Sequence, residues 1–161
     1  MTRPAQTVGS LGAGLLAGLV GTTFMTATLW AERRLRRNLT RPVDYDASSH
    51  VVTAAATVLH WSPATDRQRR GLFLLVHWGY GSATGMLFPV LRRATGNPRV
   101  AAIVFYLSCQ TMAMVLFSTA GKTPPPWRWR TDTLASSLAQ HAVYAVTVAA
   151  TQNRLDPAGR S

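Results

Sequence analysis

Apolar and polar residues are segregated into long blocks along this chain. Four blocks, residues 8–31, 71–91, 100–120 and 131–151, carry no charged side chain apart from Asp132. Each is about the length an α-helix needs to cross a hydrocarbon core of roughly 30 Å. The pattern predicts an all-α integral membrane helical bundle: four transmembrane helices in one membrane domain, residues 1–161. A fifth, shorter apolar stretch covers residues 48–61. Val51, Val52, Ala55, Val58 and Leu59 fall on one side of it, and Thr53, Thr57 and His60 on the other. It predicts a short amphipathic helix on the cytoplasmic face, ended by Ser62-Pro63.

Small residues repeat at helical spacing in two of the blocks. Gly14 and Gly18 form a G-x-x-x-G that Ser10 and Thr22 extend, and Ala13, Ala17 and Gly21 make a second row. His77, Gly81 and Gly85 recur every fourth residue and so share a helix face. Bare faces let helices approach closely where lipid removes the hydrophobic drive for association. Gly14, Gly18, Gly81 and Gly85 are therefore the expected packing positions.

Composition changes this picture only through charge. The net charge is +11, the pI about 11.5, and the mean hydropathy only +0.07. Such a balance suits nucleic acid or an anionic surface. The arginines, however, lie in short clusters beside the apolar blocks, as in Glu32-Arg33-Arg34-Leu35-Arg36-Arg37. That placement fits lipid phosphates and topology signals, with no nucleic acid partner. Eleven of the 17 Lys and Arg residues flank one side of a four-span bundle and six the other. Positive-inside orientation then puts both termini on the non-cytoplasmic side of an inner or plasma membrane. The first block is too long for a signal-peptide core and reads as a retained helix. The single cysteine, Cys109, excludes an intrachain disulfide.

Candidate chemistry collects on the last block. Thr133, Ser137, Gln140, Tyr144, Thr147 and Thr151 make a continuous polar stripe, with His141 beside it. Polar side chains inside a membrane face protein or a water-filled cavity. The stripe should meet His77 and Tyr80 from the second block and Gln110 from the third, so His77, Tyr80, Gln110, Gln140, His141 and Tyr144 are the candidate pocket residues. Three uses remain open: interhelical hydrogen bonding, a pathway for a lipid, small molecule or ion, or a cofactor such as b-type haem between the two histidines. No metal set is expected, because two histidines lack a carboxylate partner. No nucleophile motif appears, and no catalytic residue is assigned. Asp44, Asp46 and His50 fit either a surface metal or headgroup site, or counter-charges for the arginines and a helix cap. The favoured reading is a non-enzymatic accessory component of the membrane, alone, as a homo-oligomer or with a partner subunit. The alternative is a transporter-like or cofactor-binding module.

The glycine-rich first block, the run His77-Trp78-Gly79-Tyr80-Gly81 with Gly85 beyond it, and the run His141-Ala142-Val143-Tyr144 resemble small uncharacterised bacterial inner-membrane proteins of the YagU type. The long arginine-rich first loop and the Pro-Pro-Pro-Trp-Arg-Trp-Arg loop depart from that pattern. The resemblance implies an inner-membrane location without a defined activity, and points to His77, Gly81, Gly85, His141 and Tyr144.

Overall fold

A computed structural model describes residues 3–37 and 47–156, which form six α-helices and no strand. They are α1 (Arg3–Arg37), α2 (Ala47–Leu59), α3 (Asp66–Gly85), α4 (Leu87–Thr95), α5 (Pro98–Thr119) and α6 (Thr131–Leu155). The all-α expectation is met. Asp44 and Asp46 lie outside the described residues.

Local chemistry explains the boundaries. Thr65 caps α3 in a reciprocal box: its hydroxyl accepts from the Gln68 amide, and the Gln68 side chain accepts from the Thr65 amide. Asn97 caps α5, with Pro98 at the first helical position. Gly96 closes α4 at φ +62°, a conformation that costs glycine little.

The stretch 71–91, expected as one helix, is divided. Proline has no amide hydrogen, so Pro89 leaves the Gly85 carbonyl without its partner, and its ring crowds that turn. The chain breaks at Met86, whose amide falls back onto the Ala83 carbonyl at 3.1 Å. It then resumes as α4 and runs past Leu91. Arg92 and Arg93, beyond the apolar block, are helical as well.

Among the described residues two helices, against the four expected, are long and apolar enough to cross a membrane: Val8–Arg36 within α1, and α5. The break at Met86 shortens the second apolar block, and the polar stripe dilutes the fourth. Exposed Leu15, Leu19 and Phe24 on α1, and Ile103, Leu107 and Val115 on α5, give both helices apolar outer faces.

Helix α1 runs antiparallel to both α3 and α6, its two principal neighbours. Helix α5 lies against α6 and α4. Phe88, Phe105 and Tyr144 join α4, α5 and α6: Phe88 meets Phe105 edge to face at 5.6 Å between centroids, and Phe105 stacks on Tyr144 at 5.8 Å. The short helix α2 does not rest on the outside of the bundle. It wedges between α3 and α5, burying Val52, Ala54 and Ala55 and packing on Leu72, Phe73 and Val76.

The glycine face is used as expected. A Cβ at Gly18 would lie 2.5 Å from the Ser82 carbonyl oxygen and 2.7 Å from that of Gly81. One at Gly85 would strike the Gly14 carbonyl and the Gly18 backbone, and one at Gly81 the Thr22 hydroxyl. At Gly14 it would meet the Met86 and Gly85 backbone at 2.9 and 3.0 Å. Nothing lies within 4 Å of the same position at Gly79.

Thermal unfolding in detergent should separate these glycines. Gly85→Ala loses at least about 1–3 kcal/mol, because main chain cannot move aside. Gly79→Ala is neutral or gains up to about 1 kcal/mol from helix propensity. Equal midpoints for the two variants would show that α1 and α3 do not touch at Gly85.

Candidate functional site

Between α1, α2, α3, α5 and α6 lies a partly open cavity of about 900 Å³. One end of it reaches the level where Thr22, Gly81 and Tyr144 meet. There the Tyr144 hydroxyl donates to the Gly81 carbonyl at 2.5 Å, tying α6 to α3. From that level the cavity runs toward the arginine-rich end of α1 and the start of α3.

Of the six candidate residues, five line it: His77 and Tyr80 from α3, and Gln140, His141 and Tyr144 from α6. Gln110 does not. It is buried between α5 and α6, where its amide nitrogen donates to the Ser137 hydroxyl at 3.2 Å and its Oε1 has no partner. The residue of α5 on the cavity wall at that level is its neighbour, Cys109. The outer part of the stripe turns away as well: beyond Tyr144 the buried positions are Ala145, Val148 and Gln152, and neither Thr147 nor Thr151 is among them.

Both imidazoles are held in defined tautomers. The Thr26 hydroxyl donates its only hydrogen to the Thr22 carbonyl at 2.7 Å. It can therefore only accept from His77 Nε2, 2.8 Å away, so that nitrogen carries the proton. His141 Nδ1 lies 2.8 Å from the Ser137 carbonyl, which can only accept, so there Nδ1 carries the proton. The His77 ring also stacks on Phe73, with centroids 5.2 Å apart.

Polar residues that the stripe did not predict complete the site. Glu32, at the end of the first apolar block, lines the cavity and is bonded on both oxygens. Ser136 donates to its Oε2 at 2.6 Å and Gln140 at 3.1 Å, while Arg36 donates to its Oε1 at 2.8 Å. Arg36 also reaches Asp132 at 3.4 Å. The i,i+4 spacing of Glu32 and Arg36 is a readable signal for their own pair. Nothing local announces that Ser136 and Gln140 join it. At the opposite end, Arg92 is buried and bonds to Asn153 at 2.8 Å and to Asp156 at 3.6 Å. Asp156 also accepts from Ser10 at 3.0 Å, and the fully buried Gln152 donates to the Ser10 carbonyl at 3.2 Å. His50 lies away from the cavity, with Nδ1 3.3 Å from the Gly121 carbonyl.

Among the described residues, no group of three or more His, Cys, Asp or Glu is placed to hold a metal ion. Compared with family profiles, curated proteins and solved structures, the chain matches none. Neither the resemblance to the YagU type nor a function is supplied from that side.

The tautomers can be read directly. Nitrogen-15 shifts of histidine-labelled protein in micelles should show a protonated Nε2 at His77 and a protonated Nδ1 at His141. Thr26→Val should alter the His77 pattern and leave that of His141 unchanged. The opposite tautomer at either ring would contradict the hydrogen-bond directions above.

Proposed function

We propose that this chain is a four-span membrane protein that binds a lipophilic molecule in its interhelical cavity, acting as a binding or accessory component and not as an enzyme. The spans are α1, the broken pair α3–α4, α5 and α6, with α2 inserted from the arginine-rich side. Both termini lie on the non-cytoplasmic face of an inner or plasma membrane, in keeping with the charge bias of the loops. The observation that carries the binding reading is the cavity: about 900 Å³, at the upper end of ordinary small-molecule pockets, with walls mostly of apolar side chains.

Hydrogen-bond direction supports a non-catalytic site. The hydroxyl that touches His77 belongs to Thr26, and it receives a proton from the imidazole. A general base works in the other sense, withdrawing a proton from the nucleophile. His141 spends its protonated nitrogen on its own helix backbone. The resemblance to YagU-type proteins points toward an inner-membrane location and is silent on activity.

A bis-histidine haem is the second reading, because His77 and His141 face one cavity. It would need the Thr26 bond to be given up if iron took His77 Nε2. A Soret band in purified protein would favour it over the first reading.

Binding of a neutral, environment-sensitive dye such as Nile red to protein in maltoside micelles tests the proposal. Wild type should give a saturable, blue-shifted signal. Ala113→Phe, which fills the cavity from α5, should weaken it by about tenfold while the protein stays monodisperse. Unchanged binding in that variant would remove the cavity as the site. Reporters placed near residue 44 and at each terminus should fall on opposite faces, and a shared face would exclude four spans.

A further inference from the structure

We infer that the ligand of this cavity is a single-chain amphiphile with an anionic head group, a long-chain fatty acid, held with its chain inward and its head at Arg69 and Arg70. The inference rests on the binding reading above and specifies the chemistry of what is bound.

Shape is the first ground. Along α1 the wall extends from Thr22 to Arg36, about 21 Å at 1.5 Å per residue. That is the length of an extended long-chain acyl group, with Met25, Leu29, Phe73 and Leu116 along it. An extended hydrocarbon chain fills such a space better than a compact ring system.

Charge is the second. The open end is lined by arginines of α1 and α3. Among the described residues the one carboxylate in the lining is Glu32, and its oxygens are taken by Arg36, Ser136 and Gln140. Arg36 is likewise committed to Glu32 and Asp132. Arg69 and Arg70 are exposed and make no ion pair among the described residues. The mouth therefore presents net positive charge from guanidinium groups, whose planar forks match a carboxylate.

Access is the third. Val58 and Leu59 of α2 and Leu74 of α3 line the cavity and are also exposed. The wall on that side is apolar and open, so a chain can slide in sideways while its head stays level with the arginines. A solvent-only entrance would require the whole chain to pass through water.

The test uses full-length protein in maltoside micelles with dansyl-undecanoic acid as the fluorescent probe. Oleate, oleyl alcohol, oleoyl lysophosphatidylcholine and inorganic phosphate are the competitors. Oleate should displace the probe at about tenfold lower concentration than oleyl alcohol or the zwitterionic lipid, the size expected for one charge-assisted contact. Phosphate alone should not displace it. Arg69→Gln together with Arg70→Gln should erase the preference for oleate and leave oleyl alcohol within about twofold of wild type. Equal displacement by oleate and the alcohol would overturn the inference while leaving a lipophilic site intact, as would a preference that survives the double substitution. Displacement by phosphate alone would overturn it too, since the chain would then be dispensable. If no chain competes and Ala113→Phe changes nothing, the binding reading itself fails. Should the double variant prove unstable, Arg69→Lys with Arg70→Lys keeps the charge and must retain the preference in part.

Discussion

At Gly85 a single added carbon would land on the carbonyl oxygen of Gly14 and the backbone of Gly18. Helices α1 and α3 thus touch main chain to main chain, over the single turn that separates Gly14 from Gly18 and Gly81 from Gly85. In the four-span arrangement proposed above, lipid removes any hydrophobic gain from bringing two apolar helices together, so close dispersion contact and polar bonds would hold them. The third helix is fixed at the same level. A Cβ on Gly21 would meet the Val148 and Tyr144 side chains, and the Tyr144 hydroxyl ends on the Gly81 carbonyl. Three helices therefore converge on a node of glycines, Thr22 and Tyr144, where the helix backbones cannot separate without losing contacts on two sides.

The cavity follows from that node. Above it α1 continues with Met25 and Leu29, and α3 with Tyr80 and His77, so the helices no longer meet through bare backbone. Beyond the break at Met86, α4 covers the node from the far side, where Phe88 and Pro89 are buried. On the near side α3 and α5 are held apart, and α2 fills part of the gap. Each end is then clamped by its own polar set, Arg92 with Asn153 and Asp156 at one and Arg36 with Glu32 and Asp132 at the other. Polar bonds between helices in a bilayer are worth only about 0.6–2 kcal/mol each. Several at each end, on both sides of a rigid node, keep a hollow bundle from collapsing better than any one of them does.

Much of this was legible in sequence, and the reasons are specific. A spacing of four put Gly14, Gly18, Gly81 and Gly85 on faces, and two such faces on antiparallel helices have one good way to meet. The same spacing brought His77, Gln140, His141 and Tyr144 to one cavity. Pro89 was visible in the second apolar block, and its missing amide carries the break at Met86, which hydropathy alone does not register. Arg92, Ser136 and Gln152 were illegible for a different reason. Their partners depend on which helix end arrives opposite them, and no local pattern encodes that. Gln110 shows the limit of depth arguments: placed at the right level, it is turned by the helix phase toward Ser137, and Cys109 takes the cavity wall.

The polar groups of the cavity are mostly spent on one another, and this decides which way round the proposed amphiphile would lie. His77 gives its proton to Thr26, His141 to Ser137, Tyr144 to Gly81, and Gln140 to Glu32 and Ser136. In the neutral imidazoles the remaining nitrogens, Nδ1 of His77 and Nε2 of His141, carry lone pairs and can only accept. A carboxylate is also an acceptor, so the inner half of the cavity offers it no matching donor from either ring. Donors in excess occur at the other end, in the guanidinium groups of Arg69 and Arg70. An anionic head pushed inward would lose water and gain nothing from these rings, whereas a methyl end loses nothing there. The hydrogen-bond directions of the two histidines thus reinforce the arginine mouth, and together they give the cavity a polarity that its volume alone does not.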